Sequence, residues 1–345
     1  FEGRDLWQGA EFGREDRERL MKILTIVIPM YNVQEYIEQC LQSFVIPEIM
    51  NKIEVLVIDD GSKDNSANIA KRYEEIYPEA YRVIHKENGG HGSTINIGIS
   101  EAMGNYIKVV DGDDWVEQQG FRDLVCYLES TTVDLVMSQY CWVDHKTMKK
   151  SWEVDRLCKR AEFEKVYLSE DILADSFLKM HAMTFKTSIL KNMPERLDEH
   201  CFYVDTEYMI FPLPYVNTVS FVDANVYMYR IGMDTQSMNL LNMQKRCDQH
   251  EKVLQRLLIY CSAHRGNINE RAMIAAVARV VTSQYKIYLS FGHSRKKAMI
   301  QMDLMLKHNY KKIYDAVQNQ AVCWIRRSRY CLFDVAAFAV RRSIK

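Results

Sequence analysis

The sequence lacks any run of about 18 consecutive apolar residues, the length an α-helix needs to cross a bilayer. It also lacks an apolar stretch near residue 1 of the kind that marks a secretory leader. The expectation is a chain that is neither exported by such a leader nor threaded through a membrane. Nine cysteines are present, yet no two are spaced C-x-x-C and their number is odd. This argues against a zinc site and against a disulfide framework, and it suits a reducing compartment, so the expected location is cytoplasmic. No sign of charge dominates: 45 basic residues face 46 acidic ones, which removes the general electrostatic case for nucleic acid. Internal repeats and low-complexity tracts are missing too.

What is present is alternation. At 345 residues the chain has room for two domains, or for one large domain with an appendage. Residues 1–20 are charged and without periodicity, and are expected to be a tag or flexible arm ahead of Met21. "ILTIVIPMYN" then predicts a strand, and "VQEYIEQCLQSFV" a helix with Val33, Ile37, Leu41 and Phe44 on one face. "KIEVLVIDD" is a second strand, "SANIAKRYEEIY" a helix and "YRVIHKE" a third strand. A glycine-rich turn, "NGGHGS", leads to a helix over "TINIGISEAM", and "GNYIKVVDGDDWV" supplies a fourth strand. Alternating elements on short connections imply an α/β fold with a doubly wound, mostly parallel sheet. Further strands are predicted at "VDLVMSQYCWVD" and "SFVDANVYMYR". Beyond Leu240 the pattern is helical, with Met243, Cys247, His250, Leu254, Leu257 and Cys261 on one face.

Two of these strands end in acids. Asp59 and Asp60 follow the apolar run Ile53–Ile58, and Asp111, Asp113 and Asp114 follow "YIKVV". A turn is one explanation, because Asp, Gly, Ser and Asn all favour turns. A ligand site is the other, because open α/β sheets bind ligands beyond the carboxyl ends of their strands. Asp111 and Asp113, separated by one small residue, can offer oxygens to a hard divalent cation such as Mg²⁺ or Mn²⁺. A calcium loop of the EF-hand type is a poor alternative, since the rest of its twelve-residue pattern is absent.

The segments "IVIPMYN", "VIDDGSKDNS", "NGGHGSTINIGISEAMGNYI" and "VVDGDDWV", in this order, resemble the family 2 glycosyltransferases. The resemblance covers residues 23 to about 120 and continues more weakly to about 240. It implies a GT-A fold and transfer of a sugar, with inversion, from a nucleotide-sugar. The donor would be a UDP-sugar, and the acceptor a hydroxyl of a glycan, cell-wall polymer or lipid-linked molecule, as in polysaccharide biosynthesis. By the same resemblance, Pro29, Met30 and Tyr31 line the nucleotide pocket. Asp60 hydrogen-bonds the base, Asp59 supports its turn, and Asn96 belongs to the donor site. Asp111 and Asp113 form the DxD element that holds Mg²⁺ or Mn²⁺ and the diphosphate, Asp113 being the more direct ligand. The implied division is a catalytic domain over 21–239, split near residue 115 into nucleotide and acceptor halves, and a helical region over 240–345.

In "CFYVDTEYMIF", Asp205 takes the position of the catalytic base, which removes the acceptor hydroxyl's proton during attack. Glu207 is the fallback, and a helix N-cap the plain alternative for Asp205. In "YMYRIGMDTQSM", Arg230, Gln236 and Ser237 correspond to residues that close over the diphosphate; a strand-end salt bridge is the alternative for Arg230. Trp115 is a candidate for packing against a sugar face or simply into the core. Two departures stand out. Ile95 occupies a place where many relatives carry arginine, with Lys86 or His91 as substitutes, and Val204 replaces the glutamate of a Glu-Asp pair. These leave open a catalytically inactive relative that only binds nucleotide-sugars. A sugar nucleotidyltransferase is the other alternative, but the glycine- and arginine-rich loop it needs after the first strand is replaced by "MYNVQEY".

The C-terminal stretch "WIRRSRYCLFDVAAFAVRRSIK" lies outside the resemblance. Residues 321–345 carry six basic groups against Asp334 alone. Treated as one helix, it places Arg327, Tyr330, Asp334, Ala337 and Arg341 on a polar stripe, with Leu332, Val335, Phe338, Ala339 and Val340 around it. The expected partner is either an anionic membrane surface, at the inner face of the cell membrane, or the protein's own core.

Overall fold

The structure, a computed structural model, describes residues 22–152, 157–233 and 239–342. Strands β1 (Leu24–Met30) and β2 (Ile53–Asp59) are buried at every residue, as strands covered on both faces must be. Around them lie helices α1 (Ile37–Ser43) and α2 (Ser66–Ile76), strand β3 (Tyr81–His85), helix α3 (His91–Glu101) and strand β4 (Tyr106–Val109). There follow β5 (Trp115–Val116), α4 (Gln118–Ser130), β6 (Leu135–Asp144), β7 (Lys150–Trp152), β8 (Tyr167–Leu168) and β9 (Met183–Lys186). Helix α5 (Asp205–Ile210) and the long strand β10 (Thr218–Ile231) complete the α/β part.

One sheet runs in the order β3-β2-β1-β4-β9-β6-β10-β5, with β7 beside β6 and β8 beside β10. The pairs β3/β2, β2/β1, β1/β4 and β6/β10 are parallel, while β9 is antiparallel to both β4 and β6. The expected mostly parallel sheet is therefore present, with β9 inserted antiparallel within it and the short strands β5, β7 and β8 antiparallel at its margins. The topology has a direct consequence for the site. The carboxyl ends of β2, β4, β6 and β10 share one edge, and the segment entering β9 arrives at that edge from the opposite direction.

Helix α3 begins at His91, inside the glycine-rich segment, earlier than its apolar pattern suggests. Gly90, at φ +85°, makes the turn, and a Cβ there would stand 3.1 Å from the His200 backbone nitrogen. A left-handed residue this close to another chain segment is a place where glycine is required.

From Leu240 the chain is helical: α6 (Leu240–Lys245), α7 (Cys247–Ala263), α8 (Glu270–Ser290), α9 (Lys296–Asn309), α10 (Lys311–Ala316), α11 (Gln320–Arg327) and α12 (Phe333–Arg342). The terminal stretch is thus two helices and not one. Arg329 and Tyr330 adopt φ of 50° and 67°, which breaks the helix, so Arg327 and Arg341 do not share a stripe. One continuous hydrophobic core joins the sheet to these helices. No helix among the described residues is long and apolar enough to cross a membrane.

Candidate active site

The acids after β4 are held by β10, because both strands deliver their carboxyl ends to the same edge. The Tyr227 hydroxyl donates to Asp114 Oδ2 at 2.7 Å, and the Arg230 backbone N–H donates to Asp114 Oδ1 at 2.7 Å. Asp114 is 2% exposed, so it serves as the brace of the loop, while Asp111 and Asp113 are only partly buried. Pro29 adds a second tie, its carbonyl accepting from the Gly112 N–H at 3.2 Å. Arg230 donates from Nε to the Asp113 carbonyl at 2.9 Å and from its second arm to Gln39 at 2.6 Å. Its guanidinium lies between Tyr36 (4.9 Å) and Trp115 (4.6 Å). Trp115 therefore stacks on an arginine, and Arg230 holds the acidic loop.

The electrostatics follow from burial and crowding. Burial, with Asp111 next to it, pushes the Asp113 carboxyl up to about 6. Burial would raise Asp111 as well, but His91, whose Nε2 stands 2.8 Å from Asp111 Oδ1, holds it below the usual carboxylate range. His91 is raised in turn: burial opposes its charge, and Asp111, Asp205 and Asp113 together outweigh that. Burial also raises Asp205, against the pull of Lys179 and His91. Asp111, Asp113, Asp205 and His91 thus share one field at the carboxyl edge of the sheet. His91, one of the two substitutes suggested for the missing arginine, stands in the first turn of α3 against Asp111, a pairing the sequence alone did not show.

Two further residues had no sequence signal. Lys108 on β4 is fully buried, with its ammonium donating to the His181 carbonyl at 2.7 Å, and burial lowers its pKa to about 7. His181, just before β9, stacks on Tyr229 at 4.5 Å and is lowered to about 3 by burial. Lys108 carries a testable cost. Its folded pKa lies below the ordinary lysine value, so the unfolded chain binds the proton more readily. The penalty is full below about pH 7 and fades as pH rises towards the unfolded value. Chemical denaturation of wild type and Lys108→Met should give stabilities that converge with rising pH; parallel curves would contradict the burial of a titrating lysine.

The other sequence-derived residues divide clearly. Asp59 caps its own turn, accepting from the Ser62 N–H at 3.0 Å, with His85 Nδ1 at 3.0 Å from its other oxygen. Asp60 accepts from Lys86 at 2.6 Å and from the Gly89 and Gly90 N–H groups, both at 2.8 Å. It organises the glycine loop that leads to His91, and Lys86, a suggested stand-in for the missing arginine, is committed to it. Met30 is buried, whereas Tyr31 is 47% exposed at the end of β1 and open to a ligand. Asn96 needs correcting as a donor-site residue. Its amide donates to the Leu197 carbonyl and accepts from the Leu197 N–H, both at 2.9 Å, and it is 4% exposed. Asn96→Ala should cost about 2–4 kcal/mol of stability, because two buried backbone groups lose their partners; a loss below ~1 kcal/mol in urea titration would refute this. Gln236 and Ser237 lie outside the described residues.

Asp205 opens α5, one residue after Val204 at the N-cap. The chain reaches it through His200 and Tyr203, both left-handed at φ of 51° and 69°, a conformation costing on the order of 1 kcal/mol each. The helical region holds this segment in place. Arg256 of α7 donates to Asp198 at 2.8 Å and to Glu207 at 2.9 Å, and Gln249 accepts from the Phe202 N–H at 2.9 Å. Glu207, fully buried and ion-paired, points away from proton-transfer chemistry and into this brace.

Among the described residues, the one set of three metal-ligating side chains is Cys247, Asp248 and Glu251 on α7, not the acids after β4. An ion at Asp111 and Asp113 would thus take most of its ligands from phosphate and water, as Mg²⁺ and Mn²⁺ sites commonly do. The donor set fits such an ion: two hard carboxylates, one with its proton affinity raised by the other's charge.

The model of glycosyl transferase family 2 matches residues 25–190, from β1 to just beyond β9. Just under half of the chain thus matches this glycosyltransferase family. A curated relative, the uncharacterized glycosyltransferase EpsJ of Bacillus subtilis, is 38% identical over 117 residues, 34% of this chain and 33% of its own. The chain therefore spans about a third of that relative's length. Among solved structures, S. aureus TarS 1-349 in complex with UDP-GlcNAc has a TM-score of 0.56 at 16% identity, covering 89% of this chain and 92% of that one. The mannosyltransferase PcManGT of Pyrobaculum calidifontis, in complex with GDP-Man and Mn²⁺, has a TM-score of 0.50 at 14% identity, covering 92% and 86%. At these identities the likeness is one of fold, and it extends through the helical region of the glycosyltransferase. Asp205 and Arg230 lie beyond the family match, so their roles rest on geometry.

Proposed function

We propose that the protein is an inverting, metal-dependent glycosyltransferase that moves a sugar from a nucleoside diphosphate donor, a UDP-sugar, to a hydroxyl. The single observation that carries this is the shared field of Asp111, Asp113 and Asp205 at the carboxyl edge of the parallel strands. The neighbours of the same fold bound to UDP-GlcNAc and to GDP-Man with Mn²⁺ support a nucleotide-sugar and a divalent ion. A glycan, cell-wall polymer or lipid-linked molecule is the acceptor class in keeping with the family.

In this reading Tyr31 flanks the nucleotide, while Asp59 and Asp60 act by shaping the two loops that enclose it. Asp113 and Asp111 hold Mg²⁺ or Mn²⁺, which when bound stabilises the charge that grows on the departing diphosphate. Arg230 fixes the carbonyl of Asp113, and its buried cation adds positive potential beside the acids. Asp205 accepts the proton of the acceptor hydroxyl as that oxygen attacks the anomeric carbon from the face opposite the diphosphate. Its desolvated setting makes it a stronger base than an exposed aspartate.

Titration calorimetry with UDP tests the binding half of this reading. Tight binding with Mn²⁺ that weakens at least tenfold after chelation is expected. Equal affinity in both conditions would remove the metal from the proposal.

A further inference from the structure

Helix α12 is apolar on two sides, and only one of them is covered. Phe333 and Ala337 are buried, and with the partly buried Ala336 and Val340 they pack into the core. At 100° per residue, Leu332, Val335, Phe338, Ala339 and Arg342 fall on a separate arc facing outward. Val335 is 65% exposed, Phe338 61% and Leu332 43%. The choice between core and membrane posed by the sequence is met by opposite faces of one helix.

The unpaired charge of the last two helices and their connection is of one sign. Arg327, Arg329, Arg341 and Arg342 are exposed, and none forms an ion pair with another described residue. The helix's single acid, Asp334, is taken by His293 and Lys296, each at 3.0 Å. Arg342 lies over the Phe338 ring at 5.3 Å, so cation and apolar surface are in contact. In a chain of net charge −1 this local excess is not a general property of the protein.

We propose that the outward face of α12 docks on an anionic membrane surface. Val335, Phe338 and Leu332 would enter the boundary between headgroups and acyl chains, with the arginines on lipid phosphates. A protein partner would cover the apolar arc equally well but gives no reason for an arginine on the arc itself and three more exposed and unpaired in the same terminal segment. This inference stands apart from the proposed reaction and does not rest on it.

The test is co-sedimentation of the full chain with vesicles of phosphatidylcholine alone or mixed with phosphatidylglycerol. Binding should require the anionic lipid and weaken with salt. Val335→Glu with Phe338→Glu should lower the partition coefficient at least tenfold, and each of Arg327→Gln and Arg342→Gln about fivefold, the equivalent of about 1 kcal/mol. All four positions are exposed, so the denaturation midpoint should not move, and the arginine variants remain informative if the double variant misfolds. Absence of binding to anionic vesicles, or equal binding by every variant, overturns the proposal. If vesicles fail to bind and the double variant turns a dimer into a monomer, the face belongs to a second copy of the chain.

Discussion

Asp205→Asn is expected to lower sugar transfer by about 10²–10⁴-fold while leaving nucleotide affinity close to wild type. The amide keeps the shape of the side chain but cannot take a proton. Only the step in which the acceptor oxygen attacks should suffer. The variant also removes a charge that helps to raise His91, so a modest change in metal affinity is compatible with the prediction. Near-normal transfer would remove Asp205 from the chemistry. Glu207 would not then be its replacement, because Glu207→Gln removes the charge that pairs with Arg256 and leaves one acceptor oxygen where Arg256 and the Asp198 N–H each need one. Its expected effect is a loss of about 1–3 kcal/mol in stability, with transfer falling through the misplaced Asp205 segment.

Asp113→Ala should have the other large effect. An ion beside a departing diphosphate contributes several kcal/mol, so its loss should lower kcat/KM by at least about 10³-fold. The backbone of residue 113 would still be held by Arg230 through the carbonyl, and Asp114 would still brace the loop, so the fold should survive. The defect should therefore appear as lost metal dependence of nucleotide binding, with an unchanged denaturation midpoint. Asp114→Ala is the informative contrast. It strips partners from Tyr227 and from the Arg230 N–H, and should unfold the protein more readily. An Asp113→Ala enzyme with normal metal-stimulated turnover would show that the acids after β4 are structural.

Much of this arrangement is legible in the sequence because it rests on local signals. Buried parallel strands are mostly apolar, and acids at their carboxyl ends interrupt that pattern abruptly, so β1, β2, β4 and the positions of Asp59, Asp60, Asp111 and Asp113 can be read directly. What cannot be read is pairing across long separations. His91 meets Asp111 only because α3 starts early, at a glycine whose left-handed backbone the apolar periodicity does not reveal. Asp114 looked equivalent to its neighbours until β10 placed Tyr227 and Arg230 against it. Asn96 sits in a recognisable motif, yet its two bonds go to Leu197, about a hundred residues away. The break at Arg329 and Tyr330 is invisible to helical periodicity because both are ordinary helix-compatible residues forced into the left-handed region.

Release of nucleoside diphosphate across a panel of UDP- and GDP-sugars, with Mn²⁺ or Mg²⁺ and again after chelation, bears most directly on the proposed reaction. A glycosyltransferase built on Asp111, Asp113 and Asp205 should release diphosphate from at least one donor. That release should rise with a hydroxyl acceptor and vanish both on chelation and in Asp113→Ala. UDP bound tightly, but no diphosphate released from any donor under any condition, would instead make the protein a nucleotide-sugar-binding relative that has lost catalysis.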